Sequence, residues 1–367
     1  MKFRQLALIP AITLLGGNAL ADVTLYGQIG AGVSGFAYDD SDDQSAMTDR
    51  ARSRVGLQFG TDIDDHLRAI GQFEWNVNAL TGGDRGNDVF VRRQTFVGLA
   101  HDLGELTLGA HQAAYGFTGG TSWDPMVTTE FEQRRTGGMA GGIYGQNSFV
   151  DRTVQYRSPR VAGLQLVLQT GVDTTIEQYP GQRDGNAGDL IGALNFRRGE
   201  FEFVAATVKI GRIDREIEDN DDTNTKLGVR WANETWSVAV QHESIGILEG
   251  AARAARVDNL RGFGEHAPFT DSHSHLWFGT TYTRGKNMLY LGLAQARSDA
   301  DDEDLSLVTL AAEHRPIPNF RLYAGVQQAR YDENLGRLTD GGDILAENEK
   351  LLKFGIGARY DFSANFQ

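Results

Sequence analysis

Few places in this 367-residue sequence gather side chains able to do chemistry. His273 and His275, in the run DSHSH, stand two apart and share one face of an extended strand, a spacing that suits a pair of metal ligands. With no cysteine in the chain and no third ligand close by in sequence, the pair reads as a coincidence at a loop edge, and no metal is assigned. No G-x-S-x-G elbow and no phosphate-binding glycine loop occurs, so no catalytic residue and no cofactor is assigned either. The densest group of charges lies within 116–147, where Asp124, Glu130, Glu132, Arg134 and Arg135 stand between glycine-rich ends. That stretch follows neither a period of two nor one of 3.6. A connection of about 30 residues in a compact protein is functional or marks a misassigned element; the ordinary alternative is a mobile surface loop.

The elements that must position these charges begin after a leader. Lys2 and Arg4, the apolar run 6–15 and the small-x-small site Ala19-Leu20-Ala21 predict an export signal cleaved after Ala21. Its removal leaves 346 residues, 22–367, as one domain and takes the formal charge from −14 to −16 by loss of Lys2 and Arg4. Such an acidic balance argues against nucleic acid as a partner, which needs a basic footprint. No later stretch approaches the ~18 apolar residues of a membrane helix. A mean hydropathy of −0.36 looks that of a soluble protein. The average is uninformative for a barrel, whose strands alternate lipid-facing and water-facing residues.

Period-two alternation starts at once. Val23, Leu25, Ile29, Ala31 and Val33 alternate with Thr24, Tyr26, Gln28 and Ser34. Arg52, Arg54 and Gln58 oppose Val55, Leu57 and Phe59; Arg68, Gln72, Glu74 and Asn76 oppose Leu67, Ala69, Phe73 and Trp75. The same pattern predicts sixteen strands, ending with 350–362, although 201–211 and 305–315 alternate poorly. Tight turns alternate with long acidic or glycine-rich connections, among them 38–49, 116–147, 173–187, 212–223, 246–272 and 331–348. Forty-five glycines against seven prolines suit such a turn-rich β chain. A β-sandwich would also alternate, but it has no reason to segregate long connections from short ones. The fold class predicted is therefore all-β: a transmembrane antiparallel barrel of sixteen strands. The terminal segment LLKFGIGARYDF sets Leu352, Phe354, Ile356, Tyr360 and Phe362 on one face, as an aromatic-ended strand closing against the first would.

These blocks resemble the general trimeric porins of Gram-negative outer membranes. The likeness is carried by DVTLYGQIGAGVSGF, SRVGLQFG, RRQTFVGLAHDLGELTLGAHQ, TVQYRSPRVAGLQLVLQ and KFGIGARYDF, in that order, from Asp22 to Phe362. The resemblance implies a homotrimer with one water-filled pore per subunit, narrowed by an inward-folded constriction loop, here 116–147. It also sets loop acids, Asp124 and Glu130 by position, against wall arginines, which would be Arg54 and Arg93. Gln28 stands where some members carry a basic residue. Near the sixth strand the motif points to Arg152, whereas alternation with Val154 and Tyr156 points to Arg157. The chain departs from the family in the residues 363–367 beyond Phe362, where Phe366 keeps the outward phase.

Pore function needs no reacting group. Opposed charges across a narrow water-filled zone act on polar solutes, and rings of charge set ion preference. The implied activity is passive diffusion of ions and small hydrophilic solutes. Two alternatives stand beside it: a sugar- or organic-acid-specific channel using Trp123, Phe131 and Tyr144 as an aromatic track, and a barrel enzyme. Acidic runs at 39–43, 214–222 and 299–304 are expected in external loops, solvated or bridged by divalent cations to lipopolysaccharide.

Overall fold

The computed structural model describes residues 22–38, 41–48, 53–78, 80, 90–133, 149–172, 190–209, 223–246, 272–332 and 350–366. The expected leader, Arg52, Arg134, Arg135, Tyr144 and most of the long connections lie outside the described residues.

Among the described residues, seventeen strands form one antiparallel sheet. The first six are β1 (Asp22–Tyr38), β2 (Ser41–Thr48), β3 (Arg54–Asp62), β4 (Leu67–Asn76), β5 (Val91–His101) and β6 (Gly104–Gln112). After two single-turn helices, α1 (Ala114–Phe117) and α2 (Gly120–Trp123), come β7 (Phe149–Arg157), β8 (Leu164–Gly171), β9 (Leu190–Arg198) and β10 (Phe201–Lys209). β11 (Thr223–Ala232), β12 (Trp236–Ile245), β13 (His273–Arg284) and β14 (Asn287–Ser298) follow. β15 (Leu305–Ile317), β16 (Phe320–Tyr331) and β17 (Lys350–Phe366) complete the ring.

β2 and β3 share one place in that ring. β3 pairs with the first half of β1, from Asp22↔Gly60 to Gln28↔Arg54, and β2 with its second half, from Gly32↔Thr48 to Tyr38↔Ser41. At the junction the Ser53 hydroxyl accepts from the Gly30 amide at 3.1 Å, replacing a ladder bond. The closed barrel therefore has the expected sixteen positions, and the connection expected over 38–49 is corrected to a hairpin. β1 closes on β17 from Val23↔Phe366 to Tyr38↔Leu351, which satisfies both edges. Ser363–Phe366 belongs to this closure, so the residues beyond Phe362 lengthen the last strand.

The two faces are inverted relative to a water-soluble sandwich. Val97, Leu108 and Ile356 are 53–65% exposed, whereas Gln28, Gln72, Gln241 and Thr309 are at most 6% exposed. Apolar side chains turned outward and polar ones inward require an apolar solvent outside and a polar interior. Aromatic rings gather where outward faces approach the short turns. Trp236 meets Tyr282 with ring centroids 4.8 Å apart, and Phe201 stacks on Phe203 at 6.2 Å, as an interfacial girdle does. Where β1 meets β17, Gly35 leaves the space that the Phe354 ring fills.

The pairing register shifts at four places among the described strands, and two of these bear on the interior. Between Gly109 and His111 the β6–β7 register shifts, and Arg152 adopts φ 51° opposite the shift. Ala110 is consequently buried and no longer continues the outward face of Leu106 and Leu108. The second break, between Phe73 and Trp75, sets Arg93 and Gln94 of β5 opposite Glu74 of β4.

Candidate functional site

Inward phase on β3, β4 and β5 brings Arg54, Glu74 and Arg93 together. Arg93 Nε donates to Glu74 Oε1 at 2.6 Å and its Nη1 to Asn76 Oδ1 at 2.9 Å, while Arg54 Nε lies 3.4 Å from Glu74 Oε2. The Tyr26 hydroxyl donates to the same Oε2 at 3.1 Å and accepts from Gln72 at 2.9 Å. The Arg93 guanidinium also sits 4.5 Å from the Phe149 ring centroid, a cation–π contact that fixes its plane. Arg93 is buried, whereas the Arg54 side chain keeps 27% of its surface in water. Sequence reasoning named both arginines and listed Glu74 on the inward face without giving it a role. Its role follows from the bulge at Phe73/Trp75, which no local pattern signals.

Residues 113–133 are bonded to inward side chains of β8, β10–β12 and β15–β17. Lys226, fully buried on β11, donates to the carbonyls of Tyr115 at 2.8 Å and Thr118 at 3.2 Å, capping the C-terminal end of α1. Burial pushes the Tyr115 phenol well above its ordinary pKa, with Glu243 adding to the shift, so the hydroxyl keeps its proton and donates to Glu243 Oε2 at 2.8 Å. Gly119, at φ 80°, makes the turn between the helices that an L side chain would strain. The next amide, Gly120 N–H, donates to Gln241 Oε1 at 2.5 Å. Trp123 Nε1 donates to Glu202 at 3.1 Å, and its ring occupies the space Gly228 leaves open. Met126 and Phe131 pack with Tyr290, Ala311 and Tyr323. The Gln133 amide donates to Thr309 at 3.0 Å, and Gln327 donates to the Phe131 carbonyl at 3.2 Å.

The three loop acids are each tied to this segment or its wall. Asp124 accepts from the amides of Met126 at 2.9 Å and Gln133 at 3.1 Å, stapling the turn 124–133 at both ends. Burial pushes its carboxyl up to about 6, against the opposing pull of those two N–H groups. Glu132 accepts from the Thr128 amide at 2.9 Å, supporting a residue with φ 66°. Glu130 lies over Gly32, where a side chain would collide with its carboxylate, and Lys353 donates to its carbonyl at 3.4 Å. The structure thus gathers the acids in one turn and the arginines around Glu74.

Two further arginine groups were not anticipated. Glu202 on β10 is bonded by Arg197 at 3.0 Å and Arg230 at 3.1 Å. Glu313 on β15 is bonded by Arg315 at 2.5 Å and Arg321 at 3.0 Å. Their signal in the sequence is only the inward phase each residue shares with its neighbours. Arg157 keeps that phase with Thr153 and Gln155 and stands 3.9 Å from Glu105 at the short-turn end, while Arg152 is exposed at the bulge. His273 and His275 are both buried at the start of β13, whose first residue is His273. No group of metal-ligating side chains forms among the described residues. In the acidic run 299–304, Glu303 accepts from the Ser298 hydroxyl and Asp304 from its amide, so part of that run is spent inside its own turn.

A closed antiparallel barrel with an apolar exterior and a charged, hydrogen-bonded interior is the architecture of an outer-membrane channel. A family model described as Gram-negative porin matches residues 7–334, and the chain belongs to that family. Outer membrane porin C of Serratia marcescens is 23% identical over 99% of this chain and 100% of that protein. Major outer membrane protein P.IB of Neisseria meningitidis serogroup B is 25% identical over 63% of this chain and 68% of its own length. Among solved structures, an anion-selective porin from Comamonas acidovorans matches with a TM-score of 0.71 at 16% identity, covering 94% of this chain and 100% of that one. Salmonella typhi OmpF in complex with daunomycin matches at 0.65 and 13% identity, covering 93% and 97%. At these identities the structural matches speak for the fold. Family and relatives together make the protein a porin of the outer membrane, a channel and not an enzyme.

Proposed function

We propose that this porin is a homotrimeric general diffusion channel whose bore is narrowed by the segment that follows β6. One observation carries the reading. Residues 113–133 are bonded to inward side chains of β8, β10–β12 and β15–β17, while Arg54 on β3 keeps contact with water. Water and solutes then pass between the segment on one side and Arg54 and Arg93 on the other. Glu74 holds those arginines in place and cancels part of their charge, so solutes meet a polar wall rather than a binding pocket.

A substrate-specific channel is the weaker reading. Trp123 is 7% exposed and Phe131 is fully buried, both pressed into the wall, so neither offers a ring for a sugar to slide along. Bridging to lipopolysaccharide through divalent cations rests on the exposed Asp301 and Asp302, which stand at the end bearing the long connections. Purified protein added to a planar bilayer tests the function. Conductance rising in groups of three equal steps, with a linear current–voltage relation, supports it. An inert protein rejects it, and micromolar block by one sugar favours the specific channel.

A further inference from the structure

The charged groups of the barrel interior repeat one arrangement three times. Glu74, Glu202 and Glu313 each divide their two carboxylate oxygens between two arginines. For Glu74, Oε1 takes Arg93 and Oε2 takes Arg54; for Glu202, Oε1 takes Arg197 and Oε2 takes Arg230; for Glu313, Oε1 takes Arg315 and Oε2 takes Arg321. Each group carries one uncancelled positive charge. The three glutamate side chains are 2–6% exposed, whereas Arg197, Arg315, Arg230 and Arg54 are 58%, 54%, 30% and 27% exposed. Water in the bore therefore meets guanidinium, with the carboxylate beneath it. Arg54 and Arg315 are bonded through Nε, which leaves the terminal nitrogens of a planar, permanently charged fork for passing solutes.

Among the described residues, the remaining inward charges that reach water do not reverse this sign. Arg68 is shared by Asp22 and Asp62, Arg157 stands by Glu105, and Arg359 pairs with Asp361, all toward the short-turn mouth. These leave one net negative charge there. Lys226 and Glu243 are sealed in the wall together, and Asp124, Glu130 and Glu132 are each at most 5% exposed. The chain as a whole is acidic, at −14, but the acidic turn 299–304 stands at the far end of the strands from the Glu202 and Glu313 groups. Screening over about 10 Å at 0.1 M salt makes the nearest wall charges dominate the energy of a passing ion.

We propose that this pore prefers anions, and that Arg54, Arg197, Arg230 and Arg315 set the preference. This rests on the diffusion-channel reading and adds the charge class of its solutes. Single unit charges a few ångströms from a permeating ion, in partly restricted water, shift its energy by about 1 kcal/mol, so chloride permeates roughly three- to tenfold better than potassium at 0.1 M salt.

The test is the reversal potential of the full-length protein in a planar bilayer under a tenfold KCl gradient. The sign for chloride preference is expected. The triple variant Arg197→Gln, Arg230→Gln, Glu202→Gln, which removes one group without leaving a lone carboxylate, lowers the ratio by about twofold. Glu202→Gln alone, which keeps both arginines, raises it. A conducting pore that is cation-preferring or unselective overturns the inference and leaves the channel standing. So does a ratio unchanged in both variants. A protein with no conductance overturns the channel reading and this inference with it.

Discussion

Lys226→Met removes the side chain that ties the segment after β6 most firmly to the wall. Lys226 is fully buried, donates to two carbonyls at the end of α1, and lies 4.0 Å from the equally buried Glu243. Methionine fills the space but leaves the Glu243 charge and two carbonyls to find other partners. Breaking one side of a buried ion pair costs about 3–5 kcal/mol. Each charge-assisted hydrogen bond is worth roughly 1.5–3 kcal/mol, and the two figures overlap rather than add. A loss of about 3–5 kcal/mol would raise the detached fraction of the segment by roughly two to three and a half orders of magnitude, at about 1.4 kcal/mol per factor of ten. In single-channel records the variant should show added open-level noise and excursions to larger conductance, with strand content unchanged by circular dichroism. Lys226→Met with Glu243→Gln removes both charges and should recover part of the loss in unfolding midpoint. Quiet, wild-type conductance in the single variant, with an unchanged midpoint, would refute this account of the anchor.

Three further outcomes follow from the same geometry. Gly32→Val places a side chain where the Glu130 carboxylate lies, so the segment must shift and single-channel conductance should change by tens of per cent in a barrel that still folds; an unchanged level counts against that contact. Asp124 is raised from 3.8 to about 6, so its native state binds the extra proton, and its contribution to stability falls as pH rises from 4 to 6. At 1.36 kcal/mol per unit, and with the unfolded carboxyl already partly protonated at pH 4, the wild type should gain about 2 kcal/mol over Asp124→Asn between pH 7 and pH 4, read from urea unfolding in detergent; a constant difference would be contrary. Deleting 363–367 strips the partners of Val23–Tyr26 from β17 and should lower refolding yield while leaving the pore of folded molecules unaltered; refolding equal to wild type would show that this extension of the closure is dispensable.

How far the sequence was legible depends on the range of the interaction. Alternation is a property of neighbours, so it placed Gln72, Glu74 and Asn76 inward and Ile29 and Val33 outward, and it carried Phe366 into the last strand. It failed for Ser41–Thr48, because SDDQSAMT shows no apolar face, yet that segment pairs with β1. Arg54 and Arg93 were named, but their glutamate partner depends on a bulge that changes which residues stand opposite one another. The Tyr115–Glu243 and Lys226–Tyr115 bonds join residues more than a hundred positions apart, and nothing in TNTKLGVRWA beyond an inward phase marks that lysine. The loop acids were visible as charges, whereas their use as staples for local amides depends on the turn they create.

The most direct test of the account uses the absence of cysteine from the chain. Arg54→Cys supplies a single thiol on the inward face of β3, and Val55→Cys a single thiol on its outward face. Reconstituted channels bearing Arg54→Cys should lose current in steps when a charged, membrane-impermeant thiol reagent is added, and channels bearing Val55→Cys should not respond. Block of Val55→Cys with no effect on Arg54→Cys would contradict a water-filled path running past Arg54.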